Sequence, residues 1–264
     1  MAVRFKEERL QRILDSIRED GQVAVGELAH RFDVSEVTIR RDLRELAAQG
    51  MLRRAHGGAV AAIPAPPEPP VIQRMIQAAN CKECIGRAAA ALISDGESVF
   101  IGSGSTTAHV ARNLVGRKGL TVVTNALNVA TELATAEDIT VVVTGGMLRA
   151  SELSLIGHIA EQSLHEVRVD KVIMGMQAIS LEEEGMTNDY LPEVMTDRAI
   201  IEMAPELIVV ADHTKFGKVA SAYIAPVGRI TTLVTDSETD RKTLACLEEM
   251  GIRIIVAGAE EEKS

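Results

Sequence analysis

Five arginines lie in the segment VSEVTIRRDLRELAAQGMLRRAHGGA, residues 34–59, which holds only three acids. Guanidinium groups bind phosphate oxygens and can also pair with guanine in the major groove of DNA. Residues 1–60 carry 11 Lys and Arg against 10 Asp and Glu, whereas residues 61–264 carry 17 against 28. In a chain of formal net charge -10, the positive charge is therefore concentrated where contact with a polyanion is expected.

The residues that flank these arginines predict three helices in succession. FKEERLQRILDSIRED spaces its apolar residues at i, i+3, i+4 and i+7, which predicts an amphipathic helix ending at Gly21. VAVGELAHRF predicts a short second helix, and DVS predicts a tight turn in which Ser35 caps the next helix. That third helix is predicted over residues 36–49 and ends before Gly50. Its inward-facing residues are Ile39, Leu43 and Leu46.

The outer face of the third helix carries small, polar and basic side chains. Two interpretations fit this face: a solvated surface, or a recognition helix that enters the major groove. The following segment, GMLRRAHGGA, has the length and the glycines of a small hairpin wing that carries Arg53, Arg54 and His56. Because phosphates attract such a basic rim, the combination favours DNA binding.

Residues 34–59 resemble, without gaps, the DNA-binding signature of the DeoR family of bacterial transcriptional regulators, whose winged helix-turn-helix ends in the same RxHGGA phrase. The resemblance implies two sets of DNA contacts. The residues implied to lie at or in the groove are Ser35, Glu36, Thr38, Arg40 and Arg41. The residues implied to hold phosphates are Arg44, Arg53 and Arg54, beside His56 in the wing.

A proline-rich segment, AAIPAPPEPP, divides the chain at residues 61–70 and contains five of the eight prolines. Proline fixes φ and lacks a backbone donor, so the segment predicts a stiff, extended linker; an SH3-type ligand is the alternative. Residues 1–60 are then a winged helix-turn-helix domain, and residues 71–264 form a second, larger domain.

The larger domain alternates apolar, β-branched runs with helical stretches. The runs are SVFI, LTVVT, ITVVVT, KVIMG, ELIVVAD, ITTLVTD and IRIIVAG. Continuous apolar strands with helical crossovers predict an α/β domain with a mostly parallel sheet that is covered on both faces.

The first predicted strand opens into a loop that suits an anion. FIGSGSTTAHVARNL places a Gly/Ser/Thr turn at the start of a helix, where backbone N–H groups and hydroxyls bind phosphate. The loop is not a dinucleotide fingerprint, because Thr107 stands where the third glycine belongs, and no Gly-Lys-Ser/Thr follows to make a P-loop. Taken alone, the segment also fits an ordinary turn.

TVVTN, VTGGML, DKVIMG and VVADHTKFGK follow this loop in the order and spacing of the DeoR-family effector domain, so the resemblance covers nearly the whole chain. It implies the fold of ribose-5-phosphate isomerase and an effector that is a phosphorylated sugar or related metabolite. The implied phosphate-binding residues are Ser103, Gly104, Ser105, Thr106 and Thr107. The other implied effector-binding residues are Asn125, Gln177, Asn188, Asp212 and Lys215. A turn at Gly145 and Gly146 is expected to approach the ligand closely.

Several of these residues have a structural alternative. Asn125 suits a helix cap after its strand, and Asn188 suits a turn beside Gly185. Asp212 and Lys215 suit a pair in a surface loop.

Two positions depart from the family pattern. Family members often carry Asp before the GST phrase, where this chain has Gly102, and a GxDGI phrase where residues 175–179 read GMQAI. The absence of carboxylates at Gly102 and Gln177 leads us to expect an effector with more negative charge than common sugar phosphates. Gln177→Asp should then weaken the response. Residues 189–192, DYLP, are expected to shape sugar specificity.

These features predict a ligand-controlled transcription regulator, most simply a repressor of a carbohydrate-metabolism operon that acts as a homodimer or homotetramer on symmetric operators. The alternative is a sugar-phosphate isomerase with a DNA-binding head, in which Asp212 and Lys215 do acid/base work. The absence of acids at Gly102 and Gln177 counts against that enzyme.

The composition argues against several other classes of protein and of binding site. Three cysteines, with one CxxC and no second pair, predict no disulfide framework and no metal site. No apolar run is long enough for a membrane span and no secretory signal is visible, so we expect a cytoplasmic protein without a cofactor. With 2% aromatic residues, stacking on single-stranded bases is not expected.

Overall fold

The computed structural model describes residues 6–20, 22–48, 52–55, 58–61, 69–183 and 185–258. Several predicted features fall outside these ranges: the helix ends at Gly21 and Gly50, the wing residue His56, and residues 62–68 of the linker. The side chains of Arg53 and Arg54 also lie outside the described part, although their backbone belongs to a strand.

The N-terminal part is a three-helix unit with a small antiparallel sheet. Its elements are α1 (Lys6–Asp20), β1 (Gln22–Ala24), α2 (Val25–Phe32), α3 (Glu36–Ala48), β2 (Leu52–Ala55) and β3 (Gly58–Ala61). Strand β3 pairs with both β1 and β2, which makes the predicted wing a three-stranded sheet. The predicted second helix begins too early, because residues 22–24 pair with residues 58–60 as a strand. Strand β3 also includes Ala61, the first residue of the predicted linker.

The core of this unit contains the residues that the helical periodicity selects. Its buried members include Ile13, Ile17, Leu28, Phe32, Ile39, Leu43 and Leu46. A buried ion pair joins α1 to α3, since Arg9 Nε donates to Asp42 Oδ2 at 2.6 Å. The inner face of α3 is thereby fixed against α1, and its opposite face is left for contact with other molecules.

The larger part is built on a seven-stranded sheet whose strand pairs are all parallel. In spatial order the strands are β15 (Arg253–Ala257), β14 (Thr232–Asp236), β12 (Glu206–Val210), β9 (Lys171–Gly175), β4 (Ser98–Ile101), β5 (Leu120–Thr124) and β6 (Ile139–Val143). These are the seven apolar runs of the sequence. The helices described around this sheet are α4 (Val71–Arg74), α5 (Ala79–Ala90), α6 (Ser105–Leu114), α7 (Leu127–Leu133), α8 (His158–His165), α9 (Val194–Ile201) and α10 (Arg241–Glu249).

Two smaller β structures lie outside the parallel sheet. One is the antiparallel pair β7 (Met147–Arg149) and β8 (Ser154–Ile156). The other is an antiparallel sheet of β10 (Ala178–Ser180), β11 (Gly185–Asn188) and β13 (Ala222–Pro226). Three short 3-10 helices complete the described elements: Leu191–Glu193, His213–Lys215 and Val227–Arg229.

The order of the strands fixes where a ligand can enter. Strand β4 is the first strand of the sheet in the chain, yet it lies between β5 and β9. The chain therefore runs outward to β6 on one side and then returns to β9 on the other. In parallel sheets, ligands bind beyond the carboxyl ends of the strands at such a reversal. Alternate side chains of the strands fill apolar clusters on the two faces, so the sheet is a rigid base for that site.

Candidate functional site

The loop between β4 and α6 has the geometry of an anion cradle. Gly104, at the N-cap of α6, has a φ of 144°, which a residue with a side chain rarely adopts. Its carbonyl points into the protein, where it accepts from Thr107 Oγ1 at 3.0 Å and from Asn128 Nδ2 at 3.3 Å. The first-turn N–H groups of α6 have no side-chain cap, and Ser105 and Thr106 stand beside them. Such a helix end attracts a phosphate.

A cavity opens above this loop at the carboxyl ends of β4, β5, β9 and β12. Its open space, including the solvent at its mouth, is about 780 Å³. The effector-binding residues predicted from the sequence that line it are Ser103, Gly104, Ser105, Thr106, Asn125, Gln177, Asn188 and Lys215. The fold thus brings together eight residues that span more than a hundred positions of sequence.

The structure places two of the predicted effector residues outside this lining. Thr107 is fully buried, and its hydroxyl donates to Gly104, so it shapes the loop from behind. Asp212 is also buried and caps the 3-10 helix that carries Lys215, since its Oδ1 accepts from the Thr214 N–H at 3.0 Å. Both side chains support backbone segments that line the cavity, but they do not line the cavity themselves.

The glycine turn expected beside the ligand also lies elsewhere. Gly145 and Gly146 are absent from the cavity lining. A Cβ at Gly146 would come within 2.9 Å of the Ile156 carbonyl oxygen, and one at Gly145 within 2.9 Å of Ile159 Cγ2. These glycines allow close packing against β8 and α8, which is a structural role.

Two amides on the lining have atoms without a partner among the described residues. Asn125 is 1% exposed; its Nδ2 donates to the Leu155 carbonyl at 3.3 Å, and its Oδ1 is unpaired. The Gln177 Oε1 accepts from the Asp189 N–H at 2.8 Å, while its Nε2 is unpaired. Buried polar atoms normally have a hydrogen-bond partner, so one acceptor and one donor are available here for a ligand.

The DNA-binding residues predicted from the sequence cluster on the N-terminal half of α3 as far as their side chains are described. Ser35 Oγ accepts from the Thr38 N–H at 3.2 Å, which is the predicted cap. Arg40 donates to Glu36 at 2.9 Å across one helical turn, and Arg41 and Arg44 are exposed. Val37 was not predicted from the sequence; it is 71% exposed on the same helix. An exposed apolar residue beside arginines suits contact with a thymine methyl group.

Comparison with known families assigns both parts of the chain. Residues 9–64 match the DeoR-like helix-turn-helix domain, and residues 77–237 match the DeoR C terminal sensor domain. The chain belongs to the DeoR family.

Relatives resemble this DeoR-family chain along most of its length. It is 35% identical to the glycerol-3-phosphate regulon repressor of Escherichia coli K12 over 92% of this chain and 95% of the relative. It is 31% identical to the transcriptional repressor AccR of Agrobacterium fabrum over 97% and 100%. Among solved structures, ribose 5 phosphate isomerase A from Neisseria gonorrhoeae covers 52% of this chain and 53% of its own, with 19% identity and a TM-score of 0.39.

The cavity of this DeoR-family chain also contains charged residues outside the predicted effector-binding set, of which Asp189 alone belongs to a segment that the sequence analysis named, residues 189–192. They are Arg74, Arg149, Glu152, Asp189, Glu193 and Asp197. Arg74 forms an ion pair with Glu152, and Arg149 forms one with Glu193 and lies 3.6 Å from Asp189. The guanidinium of Arg149 also stacks 4.3 Å from the centre of the Tyr190 ring. No sequence motif marks these pairs, because each joins segments that are distant in the chain.

The charges on the lining bear on the expected charge of the effector, which stays a prediction. Gly102 and Gln177 do line the cavity in place of two family acids. However, four other carboxylates line the same cavity against three cationic side chains, Arg74, Arg149 and Lys215. The two departures remove negative charge relative to the family pattern, while the remaining lining carboxylates outnumber the lining cations by one.

Asp197 is the most perturbed of these groups. Its Oδ2 accepts from the Asn188 Nδ2 at 2.7 Å. Burial and then the nearby Glu193 carboxylate raise the pKa of Asp197 well above its ordinary value. Perturbed groups of this kind cluster at functional sites.

Other features of the described residues bear on partners. Cys81, Cys84 and Cys246 are free thiols, and no group of three or more metal-ligating side chains occurs within the described ranges. None of the described helices is long and apolar enough to cross a membrane.

Proposed function

We propose that this chain is a repressor of a carbohydrate-metabolism operon whose DNA binding is controlled by a phosphorylated sugar or a related anionic metabolite. The observation that carries the proposal is the anion cradle at the start of α6, which opens into a polar cavity lined by Lys215. The resemblance to a glycerol-3-phosphate regulon repressor supports the same class of effector.

The cavity suits a phosphate ester with several hydroxyl groups. Its α6 end offers backbone N–H groups and the hydroxyls of Ser105 and Thr106 for the phosphate. Its other walls offer amides and carboxylates that exchange hydrogen bonds with hydroxyls. A polar cavity of this kind rejects an apolar ligand, because buried polar groups would lose their partners.

The helix α3 is proposed to enter the major groove with its N-terminal half. Glu36, Thr38, Arg40 and Arg41 then face base edges, and Arg44 lies one turn further on, at the phosphates. Arg53 and Arg54 belong to the wing strand β2 and are proposed to bind phosphates of the DNA backbone. Because one head covers a half-site, a homodimer or homotetramer is proposed to bind a symmetric operator.

A described contact joins the cavity to the end of the linker. Arg74 lines the cavity, and its Nε donates to the Pro69 carbonyl at 2.9 Å while it pairs with Glu152. The Val71 N–H donates to the Ser151 carbonyl at 2.7 Å, one residue from Glu152. A ligand that moves Glu152 or Arg74 therefore acts directly on the point where the linker meets the sensor domain. Coupling between two such sites is typically about 1–3 kcal/mol.

The isomerase alternative loses the acid/base pair that it required. Asp212 does not line the cavity, and its carboxylate is occupied by Thr214. Of the two residues that this alternative named, Lys215 lines the cavity and Asp212 does not. Turnover of ribose 5-phosphate by the purified chain is the direct assay, and we expect none.

The proposal is tested by fluorescence anisotropy of labelled DNA from upstream of this protein's own gene, with random DNA of equal length as the competitor. We expect nanomolar, salt-dependent binding that weakens on the order of a thousandfold from low to physiological salt, and that changes when one phosphorylated sugar of a panel is added. Binding no tighter than to random DNA, or no response to any sugar phosphate, would contradict it.

Two variants on α3 separate base contact from phosphate contact in this assay. Arg44→Ala should weaken binding to operator and random DNA about equally and lower the salt slope by about one per protomer. Arg41→Ala should weaken operator binding by about 1–3 kcal/mol and have less effect on random DNA. Equal effects of both variants on both DNAs would mean that Arg41 also holds a phosphate.

A further inference from the structure

One group of residues on the cavity lining has an excess of carboxylates. We call this part, formed by Glu152, Asp189, Glu193 and Asp197 with Arg74 and Arg149, the acidic end. Arg74 pairs with Glu152, and Arg149 serves both Glu193 and Asp189. Four carboxylates thus face two guanidinium groups among the described lining residues of this end.

Asp197 is the carboxylate of this end that forms no ion pair with a described residue, although the charge of Arg149 attracts it. Its described hydrogen-bond partner is the neutral amide of Asn188, at 2.7 Å. Asp197 lies one helical turn after Glu193, and like charges at this spacing destabilise a helix. Both residues are buried, so solvent screens the repulsion little. Because Arg149 already pairs with Glu193 and Asp189, its charge offsets the burial of Asp197 only in part, which calls for a compensating group.

A second, independent observation lies on the neighbouring wall. The Oδ1 of Asn125 is a buried acceptor without a partner among the described residues. Asn125 is held against β8 by its bond to Leu155, and the adjacent Ser154 donates to Glu193 at 2.8 Å. The unpaired acceptor therefore belongs to the wall that meets the acidic end. Asn125 and Asp197 both need a hydrogen-bond donor, and Asp197 also needs positive charge.

We infer that the effector carries an ammonium group, which binds between Asp197 and Asn125 while its phosphate binds at the α6 loop. An ammonium donates three hydrogen bonds and supplies one positive charge, whereas a hydroxyl donates one and supplies none. The ligand class is then a phosphorylated amino sugar or a comparable amino phosphate. This inference rests on the proposed function, because it assumes that the cavity binds a phosphate ester.

The raised pKa of Asp197 is consistent with this assignment. Burial and the Glu193 carboxylate favour the neutral acid when no cation is near. An ammonium beside Asp197 lowers its pKa again, because an opposite charge within hydrogen-bond distance favours the ionised form. The ligand thereby offsets the repulsion between the carboxylates of Asp197 and Glu193.

The test compares ligands that differ only by amine and hydroxyl at one carbon. Glucosamine 6-phosphate is titrated against glucose 6-phosphate, and galactosamine 6-phosphate against galactose 6-phosphate, by calorimetry on the full chain. We expect at least one amine to bind about tenfold more tightly than its hydroxyl partner, which corresponds to about 1.4 kcal/mol. In Asp197→Asn this preference should fall below about threefold, because the amide supplies no charge.

Glu132→Gln is the matched control. Glu132 pairs with Arg112 on the surface formed by α6 and α7, at 2.5 Å, and it does not line the cavity. This variant removes the same charge from the molecule, so it should keep the amine preference. Thermal melting and DNA binding without ligand show that both variants are folded.

Three outcomes would overturn the inference. Equal binding of both members in each pair, or tighter binding of the hydroxyl compounds, refutes the ammonium site and leaves the proposed function intact. A preference that persists in Asp197→Asn refutes the role of Asp197. Failure of all four phosphates to bind refutes the inference and the effector part of the proposed function together.

Discussion

At the scale of single residues, the cavity shows which side chains sequence reasoning finds and which it misses. Ser105, Thr106 and Lys215 belong to contiguous motifs, and the fold places them on the lining. Glu152 and Asp197 belong to no motif, since their roles arise from partners far away in sequence. Local sequence reports local geometry, whereas a buried ion pair depends on how distant segments meet.

The carboxyl group of Asp197 gives a prediction about stability and pH. The groups that face it are Glu193 and Glu152, which carry like charge, Arg149, and the amide of Asn188. An unfolded Asp has a pKa of about 3.9. Between that value and the raised pKa of Asp197, the folded chain holds a proton that the unfolded chain has lost, so this group lowers stability as pH rises.

Asp197→Asn removes this loss of stability, while the amide oxygen of the substituted side chain can still accept from Asn188. Without ligand, we expect the variant to have a Tm about 2 °C or more above that of the wild-type chain at pH 7. The difference should shrink as pH falls through about 4 and vanish below that, where the wild-type group is protonated in both states. Scanning calorimetry at several pH values measures this trend.

Glu132→Gln supplies a comparison of opposite sign. The hydrogen bond from Arg112 lowers the pKa of Glu132, so this carboxylate stabilises the folded chain above its ordinary pKa. Its removal should lower the Tm slightly at pH 7, and the effect should disappear in acid. A Tm of Asp197→Asn that falls below that of the wild type at every pH would show that the buried acid stabilises the site.

At the scale of elements, the seven strands of the parallel sheet were all predicted, because each is a run of mostly apolar and β-branched residues. The strands β7, β8, β10, β11 and β13 were missed; the first four have only three or four residues each and include polar ones, and β13 ends in proline. Strand β1 was assigned to a helix, since its pairing with β3 depends on residues 36 positions away. Short strands are determined by tertiary partners more than by their own pattern.

The contact between α5 and α6 fixes the helix that begins at the anion cradle. Gly86 of α5 lies against the backbone of α6, so that an added Cβ would be 2.7 Å from both the carbonyl carbon and the Cβ of His109. Nearby, the His109 Nδ1 lies 2.8 Å from a Glu83 carboxylate oxygen. The two helices are therefore joined by close packing and by a polar contact.

Gly86→Ala is predicted to destabilise the chain by about 1–3 kcal/mol. Alanine favours a helix by about 1 kcal/mol, but backbone atoms of α6 cannot rotate away from the new methyl group. A shift of α6 should also weaken binding of inorganic phosphate at the cradle. Urea unfolding and phosphate titration measure the two effects.

Gly228→Ala is the control for this substitution. Its added Cβ would have nothing closer than Met250 Cε at 4.0 Å, so its stability should change little. If Gly86→Ala were as stable as this control, α5 and α6 would be able to separate without cost, contrary to the packing described here.

At the scale of the whole molecule, charge and linkage determine how the two parts work together. Residues 61–264 carry the negative charge, which opposes general adsorption to DNA, and the exposed arginines of α3 supply attraction at one place. The effect of a ligand in the cavity must still reach the DNA-binding domain through residues 61–70. Arg74 is the described residue that touches both the cavity and the end of that segment.

Arg74→Lys is predicted to weaken this communication. Lysine keeps the positive charge beside Glu152, but its single ammonium does not reproduce the forked geometry with which Arg74 reaches both Glu152 and the Pro69 carbonyl. We expect DNA affinity without effector to stay within about threefold, and the effector-induced change in DNA affinity to fall about fivefold, or about 1 kcal/mol of coupling. Anisotropy titrations of operator DNA at zero and saturating effector give both quantities.

Arg112→Lys provides the same substitution at a site away from the linker, since Arg112 pairs with Glu132 on the surface. Its effector response should match that of the wild-type chain. Calorimetry of effector binding distinguishes a lost signal from a lost ligand, because Arg74→Lys should still bind effector when the response is reduced. A full effector response in Arg74→Lys would mean that effector binding alters DNA affinity by a route other than the Pro69 contact.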